Sequence, residues 1–274
     1  MKRWPSTGPG LLYLTVFMVV PLGLVLSYAF FRRGRFGGVV YEPTTENLTR
    51  LTDPLYTDVL LHSTWIAALT TVLALLIGYP TAQVIAGLPR RRQTLALVAV
   101  VLPFWTSFLI RVYAWIVLLS GPGWLNKALH TIGLGPVEVL YTDTAVVLGL
   151  LYAYLPLMIL PLYASLVRLD PQLAEAAVNL GAGPWTVFRT VTLPLTLPGV
   201  LTGCLFVFVP SFGNFVVPEL LGGGRSVMVG NLIRDQFLKA RDWPFGSALA
   251  LALLAGLMVL LLAQAWTARR YATR

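Results

Sequence analysis

The sequence specifies an all-α membrane protein of six transmembrane helices, and three observations carry that expectation. Of its 274 residues, 57% are hydrophobic and only 11% charged, with mean hydropathy +0.76, where an ordinary soluble domain is about 25% charged. Apolar runs fall near residues 10–31, 60–87, 94–119, 143–167, 194–219 and 243–266, each long enough to cross a hydrocarbon core of about 30 Å. No ten-residue alternating pattern of the kind a membrane barrel requires is visible, and a helix satisfies its own backbone in lipid.

The first run follows Lys2 and Arg3 as a signal peptide would, yet its apolar core is long and ends at Phe30, Phe31 and Arg32 without a small-residue cleavage site. It is expected to stay attached. Residues 32–59 form an outer loop too short for a soluble domain, so one transmembrane domain over 1–274 is expected. The third run carries Pro103, Phe104, Trp105, Thr106 and Ser107 and continues through Phe108, Arg111 and Trp115. Positions 104, 108, 111 and 115 share one helical face, an aromatic stripe with a cation inside it. Aromatic faces hold organic ammonium groups at about 0.5–2 kcal/mol per contact, which makes Trp105, Phe108 and Trp115 candidates for lining a substrate pathway. Core packing or interface anchoring is the competing account of the same rings. A buried arginine costs at least roughly 2.5 kcal/mol at mid-bilayer, so Arg111 is expected to be structural, pairing with Glu219, Glu138 or carbonyls freed by a proline.

In the fifth run, Pro210, Ser211, Phe212, Gly213 and Asn214 form a break that sets Asn214 at membrane depth, with Glu219 beyond it. Both join the pathway candidates. Glu219 and Asp235, near the outer ends of spans five and six, attract a cation on one reading and are solvated loop groups on the other. Prolines at 21, 80, 103, 156, 161, 194, 198, 210 and 218 predict kinked or broken helices.

Several function classes fall away. The net charge of +9 is scattered over the loops, with Arg90, Arg91 and Arg92 the one compact run on a short loop, a pattern that fits lipid headgroups and not nucleic acid. With both termini cytoplasmic, the amino terminus, residues 90–92 and Arg269, Arg270 and Arg274 obey the positive-inside rule, whereas Arg32, Arg33, Arg35 and the basic residues of 225–241 do not. A single cysteine, Cys204, excludes a disulfide framework and a cysteine metal site within one chain. His62 and His130 are isolated in sequence, so no metal site or catalytic cluster is expected. Gly222, Gly223, Gly224 and Arg225 lack the lysine and preceding strand of a phosphate cradle. The chain is therefore expected to hydrolyse no ATP and to bind no cofactor.

The polar stretch 168–193 between spans four and five is the one place where this oily chain builds a surface for something in water. Asp170 stands at an N-cap position and Pro171 at the first helical position. Leu173, Ala176, Ala177 and Leu180 recur at helical spacing, while Gln172, Glu175 and Asn179 take the other side. Gly181, Ala182 and Gly183 end that helix, and Pro184 opens a second through Trp185, Phe188 and Val191 before Leu193 and Pro194 re-enter the membrane.

Glu175, Ala176, Ala177 and Gly181, followed by Val191, Leu193 and Pro194, resemble the EAA loop of type I ABC importer permeases, with Val191 where isoleucine is usual. The chain is also similar to the polyamine (spermidine/putrescine) permease branch, B-type subunit, in four blocks. These are Leu51 with Asp53 to Tyr56, Pro103 to Trp105 with Leu109 to Arg111 and Tyr113, the loop itself, and Arg241 to Gly246. Asn214, Phe215 and Val216 stand where that branch has a tyrosine. The resemblance implies a MetI-like fold whose coupling helix, through Glu175, Ala176, Ala177 and Gly181, docks on a cytoplasmic ATPase. It further implies a C-type permease partner, two ATPase copies that use ATP and magnesium, an extracytoplasmic polyamine-binding protein, and a multi-pass bacterial inner-membrane location. Alternatives are a permease of this fold for ferric ion, an oxyanion or an opine, an ion-coupled carrier, or an intramembrane enzyme.

Overall fold

A computed structural model of the protein describes residues 4–133 and 135–272. In chain order it contains α1 (Trp4–Tyr28), β1 (Phe31–Arg33), β2 (Val39–Pro43), α2 (Glu46–Arg50), α3 (Pro54–Ala86), α4 (Arg90–Val101) and α5 (Phe108–Leu119). There follow α6 (Trp124–Thr131), α7 (Asp143–Leu166), α8 (Pro171–Asn179), α9 (Pro184–Val187), α10 (Leu193–Phe212), α11 (Val216–Leu221), α12 (Val229–Leu238) and α13 (Trp243–Ala272). Lys2, Arg3 and Arg274 lie outside the described residues, as do the side chains of Arg269 and Arg270.

Among the described residues, six segments are long and apolar enough to span a bilayer: Gly8–Tyr28, Pro54–Ala86, Phe108–Thr131, Asp143–Leu166, Pro184–Phe212 and Trp243–Gln264. The helical fold class holds, and the third and fifth of the expected spans change. The run expected as one helix over 94–119 is broken, because Pro103 offers no N–H; a 3₁₀ turn spans Leu102–Trp105, and Thr106 is extended (φ −92°, ψ 152°) before α5 starts. The fifth span starts earlier than 194 and ends at Phe212, not 219, where Gly213 and Asn214 turn the chain into α11.

Two compact units interleave along the chain, residues 1–60 with 229–260 and residues 61–228 with 261–274. In the first, β1 and β2 pair antiparallel, Arg32 opposite Val40 and Arg33 opposite Val39. Buried Asn47 donates from Nδ2 to the carbonyls of Ala29 (2.9 Å) and Phe31 (2.8 Å), tying α2 to the chain leaving α1. Arg50 donates from Nη1 to Asp242 Oδ2 at 3.0 Å, and its guanidinium lies 3.9 Å from the Phe245 ring centroid, which Tyr56 also meets at 4.7 Å. The sequence blocks around 51–56 and 241–246 thus meet in space. Burial opposes the charge on Arg50, but its hydrogen bonds to Asp242 and Tyr56 outweigh that and hold its pKa above the ordinary arginine value. Outside this knot, α1 presents its apolar residues outward, with Leu12 69% and Phe17 66% exposed, the arrangement a helix adopts against lipid or a partner helix.

The second unit has two apolar cores. Ile66 of α3, Val112 and Leu119 of α5, Val146 and Leu150 of α7, and Val217 and Leu221 of α11 form one. Tyr79 and Ala82 of α3, Met158 and Leu162 of α7, and Val200 and Val207 of α10 form the other. Helices α7 and α10 approach closely at Gly199 and Gly203, where a Cβ on Gly203 would stand 2.7 Å from Met158 Sδ. Small residues four apart let helix backbones touch where dispersion, not water exclusion, drives association. Gly203→Leu is expected to overpack this seam and destabilise the fold by about 1–3 kcal/mol, read as a lower melting temperature of the purified permease in detergent. An unchanged melting temperature would show that the seam has room.

Candidate functional site

The segment between α7 and α10 is built by local chemistry. Asp170 caps α8 by accepting the Gln172 N–H on Oδ1 at 3.0 Å, and Pro171 fills the first helical position, where a missing N–H leaves nothing unpaired. At the other end Gly181, with φ +85°, donates its N–H to the Val178 carbonyl (2.9 Å), and Ala182 donates to the Ala177 carbonyl (3.0 Å). That pair of bonds is a Schellman stop, which requires the left-handed conformation glycine adopts freely. Gly183 then caps α9 and Pro184 opens it.

The expected second short helix is continuous with the fifth span. α9 passes through a π turn at Phe188–Thr192, in which the Leu193 N–H donates to the Phe188 carbonyl, and runs on as α10. Pro194 and Pro198 follow this turn and withhold two N–H groups from the ladder. Phe188 stacks on Trp185 (5.4 Å) and meets the Tyr79 ring edge-on (5.4 Å), while Tyr79 OH and Thr196 Oγ1 share a 2.8 Å hydrogen bond. The segment is thereby geared to α3 and α10.

Its outer surface sets apolar side chains among polar ones, with Gln172, Glu175 and Asn179 also exposed. Leu173, Val178 and Leu180 are exposed, Trp185 is 71% exposed, and only Ala174 and Ala177 of α8 are half-buried. Glu175 stands exposed among Ala174, Val178 and Asn179, which with it line a shallow depression, and its carboxylate has no partner among the described residues. Ala176 is exposed beside it.

At membrane depth the candidates separate. Phe108 and Trp115 pack against the first core, and Trp115 meets Tyr152 edge-on at 5.7 Å. Trp105 stands apart in the 3₁₀ turn, 82% exposed. The guanidinium of Arg111 lies 5.4 Å from the Phe104 ring and 5.8 Å from the Phe108 ring. Its Nε and Nη1 are buried without a hydrogen-bond partner, and among the described residues no carboxylate pairs with it. The expected pairing with Glu219 or Glu138 is therefore corrected. The break at 102–107 brings ring faces to Arg111, and these stabilise a cation without accepting its hydrogen bonds.

Asn214 donates from Nδ2 to Tyr154 OH (2.7 Å) and accepts the Val217 N–H on Oδ1 (2.8 Å), so both ends of its amide are engaged in bracing α11 against α7. Glu219 is exposed on α11. Asn214→Leu is expected to cost about 1–3 kcal/mol by leaving Tyr154 and the Val217 N–H without that partner, measurable as a fall in melting temperature that Asn214→Ser reverses in part. Sequence reasoning missed Tyr154 and Tyr79 and the contact of Phe188 with Tyr79, because these partners lie in different helices; the Gly199-x₃-Gly203 spacing is the readable signal of the α7–α10 seam. His62, isolated in sequence, has Nε2 3.0 Å from Asp143 Oδ2 and Nδ1 3.4 Å from the Val227 carbonyl.

Six apolar spans, with a capped helical knuckle between the fourth and the fifth, define a multi-pass helical membrane protein. The chain belongs to the family described as "Binding-protein-dependent transport system inner membrane component", which matches residues 74–273. It is 41% identical over 262 residues to the "Spermidine/putrescine transport system permease protein PotB" of Escherichia coli (strain K12), covering 94% of each chain. To the protein of that name from Haemophilus influenzae it is 43% identical over 252 residues, covering 91% of this chain and 88% of the relative. Its fold is that of a bacterial alginate ABC transporter chain, solved in complex with an alginate pentasaccharide-bound periplasmic protein. That likeness has TM-score 0.78 at 16% identity and covers 98% of each chain.

Proposed function

We propose that this chain is one of two permease subunits of an ATP-driven importer that carries polyamines, spermidine or putrescine, across the bacterial inner membrane. The single observation that carries the substrate is the 41% identity to a spermidine/putrescine permease across 94% of the chain. The partners are a C-type permease, two copies of a cytoplasmic ATPase that bind the ATP and magnesium, and an extracytoplasmic solute-binding protein. The chain itself hydrolyses nothing. Both termini and the knuckle at 168–193 face the cytoplasm in this reading, since the ATPase is found only there.

The knuckle acts as a lever. Leu173, Val178, Leu180 and Trp185 offer an exposed apolar surface to the ATPase, with Glu175 as its charged contact. Closure of the ATPase pair on ATP displaces α8 as a rigid body, because the Asp170 cap and the Gly181 stop leave it no play at either end. Phe188, wedged against Tyr79, passes that displacement to α3 and α10. The exposed Trp105 offers a ring face on which an ammonium group can rest weakly enough to leave again.

The test is uptake of radiolabelled spermidine into proteoliposomes that hold the whole transporter and its binding protein. ATP-dependent uptake competed by unlabelled putrescine, and not by molybdate, is expected. Competition by the oxyanion alone would move the substrate to the second reading, a permease for an anion, which Arg111 favours, since its Nε and Nη1 have no hydrogen-bond partner among the described residues. Uptake without ATP would refute the importer.

A further inference from the structure

We infer that the elbow joining α3 to α4 is a binding site for one anionic phospholipid, whose phosphate meets Arg90, Arg91 and Arg92 while an acyl chain lies along the exposed face of α4. The inference goes beyond the transport reading and takes from it only the side of the membrane. Tyr163, near the end of α7, donates from its hydroxyl to Gln93 Oε1 at 3.1 Å, which sets the elbow at the end of α7 from which the knuckle departs. In the proposed orientation that is the inner leaflet.

The three arginines serve no contact inside the chain. All are exposed, and their side chains enter no hydrogen bond or ion pair among the described residues. They fill the first turn of α4, which holds no acidic residue, and cations placed there oppose the helix dipole. The sequence around them offers no counter-charge either, since no Asp or Glu stands between Asp58 and Glu138. Three like charges side by side, at a cost to their own helix, call for an anion from outside the chain.

Their support is fixed by hydrogen bonds. Gln93 donates from Nε2 to the carbonyls of Ala86 (2.9 Å) and Leu88 (2.8 Å), closing the end of α3, while the Tyr163 hydroxyl holds its other atom. Ala86 and Ala96 pack against the second apolar core, as does Leu169 at the entrance to the knuckle. The elbow is thus tied to the element that moves in transport.

The surface below the arginines selects the kind of anion. Arg91, Leu95, Val98 and Leu102 recur at i, i+4, i+7 and i+11 and share one helical face. Leu95 is 63% exposed, Val98 48% and Leu102 54%. From Arg91 to Leu102 the helix rises about 16 Å, and one leaflet of the hydrocarbon core is about 15 Å deep. A soluble phosphate or nucleotide makes no use of such a stripe, and a cytoplasmic protein stops at the headgroups. A phospholipid matches both parts, because the planar guanidinium fork pairs with phosphate and the apolar face follows the chain.

The experiment places the complete transporter in nanodiscs of phosphatidylcholine, adds spin-labelled phosphatidylglycerol, and reads the motionally restricted fraction by electron paramagnetic resonance. Wild type is expected to retain this lipid in preference to spin-labelled phosphatidylcholine. Arg91→Gln should weaken the preference about fivefold, and neutralising all three arginines to Gln about a hundredfold. Leu95→Ser should reduce retention of the lipid although no charge changes, and soluble glycerol phosphate at millimolar concentration should displace none of it. Equal preference in the wild type and the triple variant would overturn the site. Displacement by glycerol phosphate, with Leu95→Ser unchanged from wild type, would reduce it to a free-anion site and overturn the lipid. Loss of the second permease from the triple-variant complex would assign the face to that partner and overturn it too. Polyamine uptake is assayed separately. ATP-dependent uptake without lipid preference defeats the lipid site alone, and lipid preference without such uptake defeats the transport reading alone.

Discussion

Gly181→Pro is expected to abolish uptake while the permease remains inserted and assembled. Position 181 has φ +85° and its N–H closes the α8 stop on the Val178 carbonyl. Proline holds φ near −65° and has no N–H, so the chain must leave α8 in another direction and α9, with Phe188 behind it, loses its register on Tyr79. No apolar core passes through residue 181, where an added Cβ would meet nothing within 4 Å. The lesion is thus mechanical and not a packing defect. Gly181→Ala separates conformation from bulk, because it fits the space but strains the left-handed backbone by about 1–2 kcal/mol, and it should transport at a reduced rate. Glu175→Lys attacks the same lever from its outer surface by reversing the exposed charge, and loss of uptake is expected there too. Proteoliposome uptake, together with immunoblots of the membrane fraction, checks all three. Wild-type transport by Gly181→Pro would remove the lever from the mechanism.

Asp242→Leu is expected to give the largest loss of stability. Asp242 is 1% exposed and its two oxygens are both engaged, Oδ2 with Arg50 and Oδ1 with the Phe245 N–H at 3.1 Å. Removing one partner of a buried ion pair costs about 3–5 kcal/mol, chiefly because it strands the other charge. Arg50 is about one-third exposed, so water recovers part of that and the lower end of the range is the expectation. The double change Arg50→Met with Asp242→Leu should recover most of the loss, since it leaves no charge behind. Melting temperatures of the four proteins in detergent complete the cycle; a double variant as unstable as the sum of the singles would deny the coupling.

Much of the segment at 168–193 is legible in the sequence because its signals are local. Asp170 with Pro171 starts a helix, and Gly181 ends one, whatever surrounds them. The same holds for the six apolar runs, whose length alone answers to bilayer thickness. Boundaries slipped where two local rules competed. The apolar run through 94–119 argued for one helix while Pro103 argued against it, and the backbone followed the proline. In the fifth span the apolar run extended the expectation to residue 219, whereas Gly213 and Asn214 turned the chain.

Arg111 shows where local reasoning ends. A cation at membrane depth called for a carboxylate, and neither Glu219 nor Glu138 pairs with it, because the broken third span folds Phe104 and Phe108 over the guanidinium instead. Asn214, a pathway candidate by its place at membrane depth, has its amide engaged by Tyr154, sixty residues away.

The sequence by itself determined the helical membrane class, the number of spans and both caps of α8, since these depend on hydrophobic length and on the conformational limits of Asp, Pro and Gly within a few residues. Only the tertiary structure decided which residues meet across helices. Phe188 came to rest on Tyr79, Gly203 under Met158 and Arg50 against Asp242 and Phe245, because partner choice is settled by shape and charge between segments distant in the chain, and one-dimensional spacing carries no record of that.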